Sequence, residues 1–175
     1  PLDVNGSPSE EGKIGFIYIG DPYTAGEFST LSDFLDGNSQ ANSSLVLVDG
    51  SGSELEAGYW QKSLFVWESL KDKVSAQELN SKQAQILWIN LGFAKYEDNM
   101  SLDVQNHANL LEGILKKYLV KYPETKLIYL SSPRYSGLSK DPNYQEPQAY
   151  EVGFAVRELI NRQERGDLVF RDSVT

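Results

Sequence analysis

Short apolar runs alternate with longer amphipathic stretches along most of this chain. The runs span residues 13–20, 45–48, 84–91 and 126–131 and are nearly continuous, as expected of strands buried on both faces of a sheet. Behind each run, apolar residues recur every three or four positions, which predicts helices over residues 24–36, 57–73, 102–122 and 146–163. Residues 1–12 show no buried pattern, so we expect a flexible lead-in before one domain over residues 13–175.

The order of these elements predicts the architecture. Four strand–helix units in succession require right-handed crossovers, which give a mainly parallel sheet with helices on both faces. We therefore predict an α/β fold, a three-layer α/β/α sandwich of the flavodoxin-like kind, with four to five strands. Strand four would leave an open sheet edge unless the tail near residues 167–170 adds a strand or another copy covers it.

Composition and charge exclude several classes of function. The 175 residues include 16 Lys or Arg and 25 Asp or Glu, a net charge of −9, whereas nucleic-acid binding needs clustered Lys and Arg, so we expect no nucleic-acid partner. No apolar run approaches the roughly 20 residues of a spanning helix, so we expect no membrane insertion. The chain has no cysteine and a single histidine, so we expect no metal site and no cofactor.

Polar residues that follow the predicted strands are the candidate binding residues. Ligands of parallel α/β sheets bind beyond the carboxyl ends of the strands. The residues that this rule selects are Asp21, Tyr23, Ser51, Ser53, Asn90, Arg134 and Tyr135.

Each group of candidates also has a purely structural interpretation. The loop of Asp21 and Tyr23 fits a tight turn into a capped helix better than a flavin or nucleotide site, because acidic residues there would repel a phosphate. The glycine-rich loop over residues 49–53 is either a ligand loop or a turn. Arg134 holds a carboxylate or a sugar hydroxyl, or else pairs with an acid such as Glu146 or Glu151.

A hydrolytic site would have to use His107 as its base, because it is the only histidine in the chain. The candidate nucleophiles are Ser51, Ser53, Ser131 and Ser132, with Asp49 as the supporting acid. A working pair requires the imidazole within about 3 Å of a serine hydroxyl. The alternative is that His107 packs on the apolar side of the third helix.

Two segments carry a family resemblance. Residues 130–135 read LSSPRY, and residues 146–157 read EPQAYEVGFAVR. Both resemble the SGNH (GDSL-type) hydrolase superfamily, in particular a subgroup of exported bacterial proteins of mostly unassigned substrate. Further similarity lies at residues 14–20, 27–28 and 48–50 and at Trp88, so the resemblance covers about residues 13–163 and implies an SGNH-like sandwich.

The catalytic residues of that family are missing from the matching positions. Pro22 stands where the family has its nucleophilic serine, and Ser53 or Glu54 stands near its oxyanion-hole glycine. Residues 90–92 read Asn-Leu-Gly instead of Gly-x-Asn-Asp. The family's Asp-x-x-His block, which follows a fifth strand, does not occur, so we expect a domain truncated at its C-terminus and no SGNH catalysis.

We therefore expect a pseudo-hydrolase that acts as a secreted, extracellular binding or self-assembly module of bacterial origin. Its partner would be a glycan held by the loop aromatics Tyr96, Tyr135 and Tyr144, or other copies of the chain in a homo-oligomer or filament joined through the sheet edge or the tails.

Two further expectations accompany this interpretation. Sequons at Asn5, Asn42 and Asn99 are candidate glycosylation sites, in keeping with export. The alternative function is an active esterase or acetyl-hydrolase of carbohydrate esters, with a relocated site around His107 and the loop serines.

Overall fold

A computed structural model describes residues 1–20, 25–52, 57–92, 99–132 and 145–168 of the chain. Its four strands are β1 (Ile14–Gly20), β2 (Leu45–Asp49), β3 (Ala84–Asn90) and β4 (Leu127–Ser131). Its five helices are α1 (Ala25–Asp36), α2 (Ala57–Lys62), α3 (Leu64–Ala76), α4 (Met100–Lys121) and α5 (Gln148–Glu164). The predicted succession of strand and helix is confirmed.

The four strands form one parallel sheet in the order β2-β1-β3-β4. The chain crosses over after each strand, as right-handed βαβ units require. Helices cover both faces of the sheet, so the predicted three-layer α/β/α sandwich is confirmed. The carboxyl ends of all four strands lie at one edge because the strands run in the same direction.

The central strand β1 determines which helix lies on which face. Side chains alternate along a strand, so Tyr18 points away from Ile17 and Ile19. Tyr18 stacks on Phe28 of α1 at 5.2 Å between ring centroids. Ile17 and Ile19 instead belong to a buried cluster with residues of α2, α3, α4 and α5. One face of the sheet therefore carries α1, and the opposite face carries the other four helices.

The helix predicted over residues 57–73 is in fact two helices. Ser63 has an extended backbone conformation between α2 and α3. The indole N–H of Trp67 donates to the Trp60 carbonyl at 3.0 Å, and the two rings pack edge to face at 5.0 Å. This packing buries both tryptophans and turns Leu64 outwards, although the spacing predicts Leu64 on the apolar side.

The N-terminal segment, for which the sequence shows no buried pattern and predicts a flexible lead-in, does contain a buried residue. Leu2 is buried and pairs with Lys13 through two backbone hydrogen bonds of 3.0 and 3.1 Å. The side chains of Asn80 and Gln83 donate to the carbonyls of Val4 and Leu2. The segment is therefore packed against the amino end of the sheet.

The end of the described chain is tied to the core through Leu168, which is buried in the same cluster as α4. Asp167 and Leu168 do not belong to a strand. The remaining positions of the predicted fifth strand lie outside the described residues.

Gly50 offers a sharp test of the packing where β2 ends. A Cβ atom there would collide with the Tyr18 carbonyl oxygen and would lie 2.9 Å from Leu70 Cδ1. We expect Gly50→Ala to lower the free energy of unfolding by about 1–3 kcal/mol, because buried backbone must shift. The measurement is urea unfolding.

Gly26→Ala is the matched control for that substitution. Nothing lies within 4 Å of a Cβ at Gly26, which is an exposed position of α1. We expect stability to stay unchanged or to rise by less than about 1 kcal/mol. Equal stabilities of the two variants would contradict the packing described around Gly50.

Candidate functional site

The carboxyl edge of the sheet brings together two of the candidate residues, Asp49 and Ser51. Asp49 Oδ1 accepts hydrogen bonds from the Ser51 hydroxyl at 2.5 Å and from the Ser51 backbone N–H at 2.9 Å. The local cause is the Asp-Gly-Ser turn after β2, in which a short carboxylate folds back on the backbone two residues on. The contact fixes the loop and occupies the hydroxyl of Ser51.

Lys73 is a neighbour of this loop that the sequence pattern does not single out. It lies in the last turn of α3, and its ammonium group donates to the Ser51 carbonyl at 2.5 Å. The ammonium group therefore lies beside the turn that contains the Asp49 carboxylate. The tertiary fold brings Lys73 to this position across 22 residues of sequence, and no local spacing reveals it.

A second polar contact lies at the end of β3. Asn90 is buried, and its side-chain amide donates to Glu27 Oε2 of α1 at 3.0 Å. Among the described residues, no hydrogen-bond partner reaches the buried Oδ1 atom of Asn90. The contact places an acid and an amide at the sheet edge, where the sequence predicts a binding residue.

Ser131, at the end of β4, lies on the α1 face of the sheet. Ile128 and Leu130 pack against the helical cluster on the opposite face, so the alternation of the strand directs Ser131 away from it. The Ser131 hydroxyl accepts a hydrogen bond from the Trp88 indole at 2.8 Å, and Trp88 in turn packs on Tyr18. Ser132, the next residue, is exposed.

His107 lies inside the opposite helical layer. It is fully buried on α4, next to the core residues Ala108 and Leu111. Burial lowers the pKa of the imidazole from 6.5 to about 4, and hydrogen bonding with the Leu91 backbone offsets this shift only in part. The ring is therefore neutral over the physiological range, because charging it inside the core costs hydration.

The structure thus separates the candidate base from one candidate nucleophile. His107 belongs to α4 on the Ile17 face and hydrogen-bonds with the Leu91 backbone just beyond β3, whereas the Ser131 hydroxyl lies on the α1 face. Among the described contacts Ser51 bonds to Asp49. The candidates Asp21, Tyr23, Ser53, Arg134 and Tyr135 lie outside the described residues, as do Pro22, Glu54, Tyr96 and Tyr144.

The three sequon asparagines have different surroundings. Asn5 and Asn42 are exposed in turns near Asp3 and Ser44. Asn99 is the N-cap of α4, and its side chain accepts a hydrogen bond from the Leu102 N–H at 3.1 Å.

The site has no feature of a metal centre in the part of the chain described. No group of three or more metal-ligating side chains occurs among these residues. None of the described helices combines the length and the apolar character needed to span a bilayer.

Comparison with known proteins found no relative of this chain. No family model, no curated protein and no solved structure matches this chain. The resemblance to SGNH hydrolases therefore stays a prediction.

The buried imidazole predicts a pH dependence of stability. Between pH 6.5 and about 4 the unfolded chain binds a proton at His107 that the folded chain does not. The free energy of unfolding is therefore highest above pH 6.5. It falls as the pH decreases, by about 3 kcal/mol in total from this group. Urea unfolding measured from pH 7 to pH 5 should show the decrease.

An NMR titration of the folded protein tests the same group directly. The chain has one histidine, so its imidazole C–H signals need no assignment by mutation. We expect these signals not to move between pH 8 and pH 5.5. A midpoint near 6.5 would show that the ring is accessible to solvent and would contradict its burial.

Proposed function

We propose that this chain is a non-catalytic module on an SGNH-like scaffold, which acts by associating with other copies through the outer edge of β4. The proposal rests on how β4 is paired and on which of its side chains are exposed. Among the described residues β4 pairs only with β3, and two of its apolar side chains, Leu127 and Tyr129, are exposed.

An edge of this kind favours pairing with another strand. It presents a row of backbone N–H and C=O groups that a second strand can satisfy. Parallel sheets are usually covered on both faces, so exposed Leu127 and Tyr129 leave apolar surface that association would bury. Edge pairing between two copies would form a closed dimer if it is symmetric.

The surroundings of His107 support the non-catalytic part of the proposal. A serine hydrolase needs its base in contact with the nucleophile, and His107 is enclosed on one side of the sheet while the Ser131 hydroxyl lies on the other. The depressed pKa of His107 further weakens it as a base. Secretion and glycan binding belong to the same proposal and rest on the sequence alone.

The esterase alternative is a relocated site around His107 and the loop serines, of which Ser51 has its hydroxyl 2.5 Å from a carboxylate oxygen of Asp49. We expect no turnover of short-chain acyl esters or acetylated sugars, because the described contacts provide no imidazole to accept the serine proton. The measurement is product release at pH 7 by the wild-type protein, compared with release by the Ser51→Ala and Ser131→Ala variants. Turnover that either substitution abolishes in a folded protein would establish the alternative.

The association is tested by placing charge on the strand. We expect wild-type protein to form oligomers in about 0.5 M NaCl, which screens exposed charges. The double substitution Leu127→Lys and Tyr129→Lys should weaken association at least about tenfold, because charged side chains oppose edge pairing. Sedimentation velocity over a range of concentrations measures both proteins.

The control carries the same added charge elsewhere. Val4→Lys and Ile160→Lys alter exposed apolar residues of the N-terminal segment and of α5. This variant should associate like the wild type. A wild-type protein that stays monomeric in high salt, or a β4 variant that associates as well as the control, would refute edge pairing.

A further inference from the structure

A groove with a basic rim lies on the helical face of the sheet. It runs between the junction of α2 with α3 and the last two turns of α4, and it encloses about 410 Å³. Four cations line it: Lys62, Lys116, Lys117 and Lys121. Among the described residues no Asp or Glu lines this groove, although the chain as a whole has a net charge of −9.

Two of these lysines pair with no other described residue. Lys116 pairs with Glu112 at 2.6 Å, and Lys117 donates to the Gln61 carbonyl. Within the described part of the chain, Lys62 and Lys121 form neither an ion pair nor a side-chain hydrogen bond. The groove therefore presents the ammonium groups of Lys62 and Lys121, with which no described carboxylate forms an ion pair.

The lining between the lysines is apolar. Leu64 and Val120 are 80% and 84% exposed, and Trp67 forms the buried part of the surface. Apolar side chains that are this accessible and adjacent indicate a contact surface more often than isolated ones do. The groove thus suits a ligand that combines an apolar group with negative charges.

The C-terminal end of α1 has the complementary character. Asp33, Phe34 and Asp36 are exposed in its last turn, Phe34 to 63%, and the helix contains no basic residue. The charge asymmetry extends along the chain. Residues 14–61 contain seven Asp or Glu and no Lys or Arg, so they carry most of the net negative charge.

These two surfaces cannot meet within one molecule. α1 lies on the Tyr18 face of the sheet, and the groove is built by helices on the Ile17 face. We propose that the groove binds the C-terminal end of α1 from a second copy, with Phe34 in the apolar part and the carboxylates of this last turn, Asp33 and Asp36, near the lysines of the rim.

The interface that results is heterologous, because two different surfaces of the same chain meet. Each copy in such a contact keeps one groove or one α1 free, so the assembly is head-to-tail and open unless the rotation between copies closes a ring. A single groove of this size is a small interface, which predicts weak and concentration-dependent association.

This inference goes beyond the proposed function, because it concerns a second contact between copies that uses a different surface from the β4 edge. Because exposed charges carry it, the contact should weaken as salt rises. Pairing along the β4 edge depends on backbone hydrogen bonds and apolar burial and should persist in high salt. The two contacts can therefore fail or succeed independently.

The test is a charge reversal at each surface. The groove variant carries Lys62→Glu and Lys121→Glu, and the helix variant carries Asp33→Lys and Asp36→Lys. At low salt each variant alone should associate at least about tenfold more weakly than the wild type, because like charges then face each other. An equimolar mixture should recover association, since each reversed surface meets a complementary one.

The control variant, Lys82→Glu with Arg157→Glu, has the same net charge change as the groove variant but lies outside the groove. It should associate like the wild type at low salt. Sedimentation velocity at low and high salt measures every protein, and circular dichroism verifies folding.

Recovery in the mixture supports the contact even if the β4 variant behaves like its control. A mixture that remains monomeric overturns the proposal, as does a wild-type protein that is monomeric at low salt. Single substitutions, Lys121→Glu and Asp33→Lys, replace a double variant that fails to fold and are judged by the same recovery.

Discussion

The structure depends on burying β1 on both faces. Ile17 and Ile19 pack into the cluster formed by four helices, while Tyr18 is covered by Phe28 and Trp88. The backbone of a strand buried on both faces needs hydrogen-bond partners on both edges, and β2 pairs with Ile14 to Tyr18 while β3 pairs with Gly15 to Gly20. The side-chain alternation of this one strand assigns every helix to a face and every polar side chain at the carboxyl edge to a side of the sheet.

This assignment explains why two of the described candidates for catalysis, His107 and Ser131, lie on different sides of the sheet. Alternation sends the Ser131 hydroxyl to the side of Trp88, and the burial of α4 sends His107 to the other side. Asp49 and Ser51 satisfy each other in a turn, and Asn90 bonds to Glu27. Among the described residues the carboxyl edge thus holds local polar contacts, while the exposed apolar side chains of β4 and the lysine-rimmed groove lie elsewhere on the molecule.

The sequence could predict the strands, the helices and the layered fold, because each depends on a periodicity that is read within one segment. It could not predict the break at Ser63, since Trp60, Leu64 and Trp67 have the spacing of one continuous helix. The exposed state of Leu64 follows from packing between the two tryptophans. The contact of Lys73 with the Ser51 loop and the opposite faces of Ser131 and His107 also depend on tertiary structure. The sequence could not predict the groove either, because two separate segments of the chain form it.

The enclosure of His107 has a consequence for the charge of the whole molecule. Carboxylates and lysine ammonium groups ordinarily titrate below pH 5.5 and above pH 9, and a histidine is the usual side chain that changes charge in between. Here that side chain stays neutral down to about pH 4. The histidine therefore adds no charge to the surface of the folded protein between mildly acidic and neutral solution, and an association built on the acidic and basic surfaces has no histidine switch.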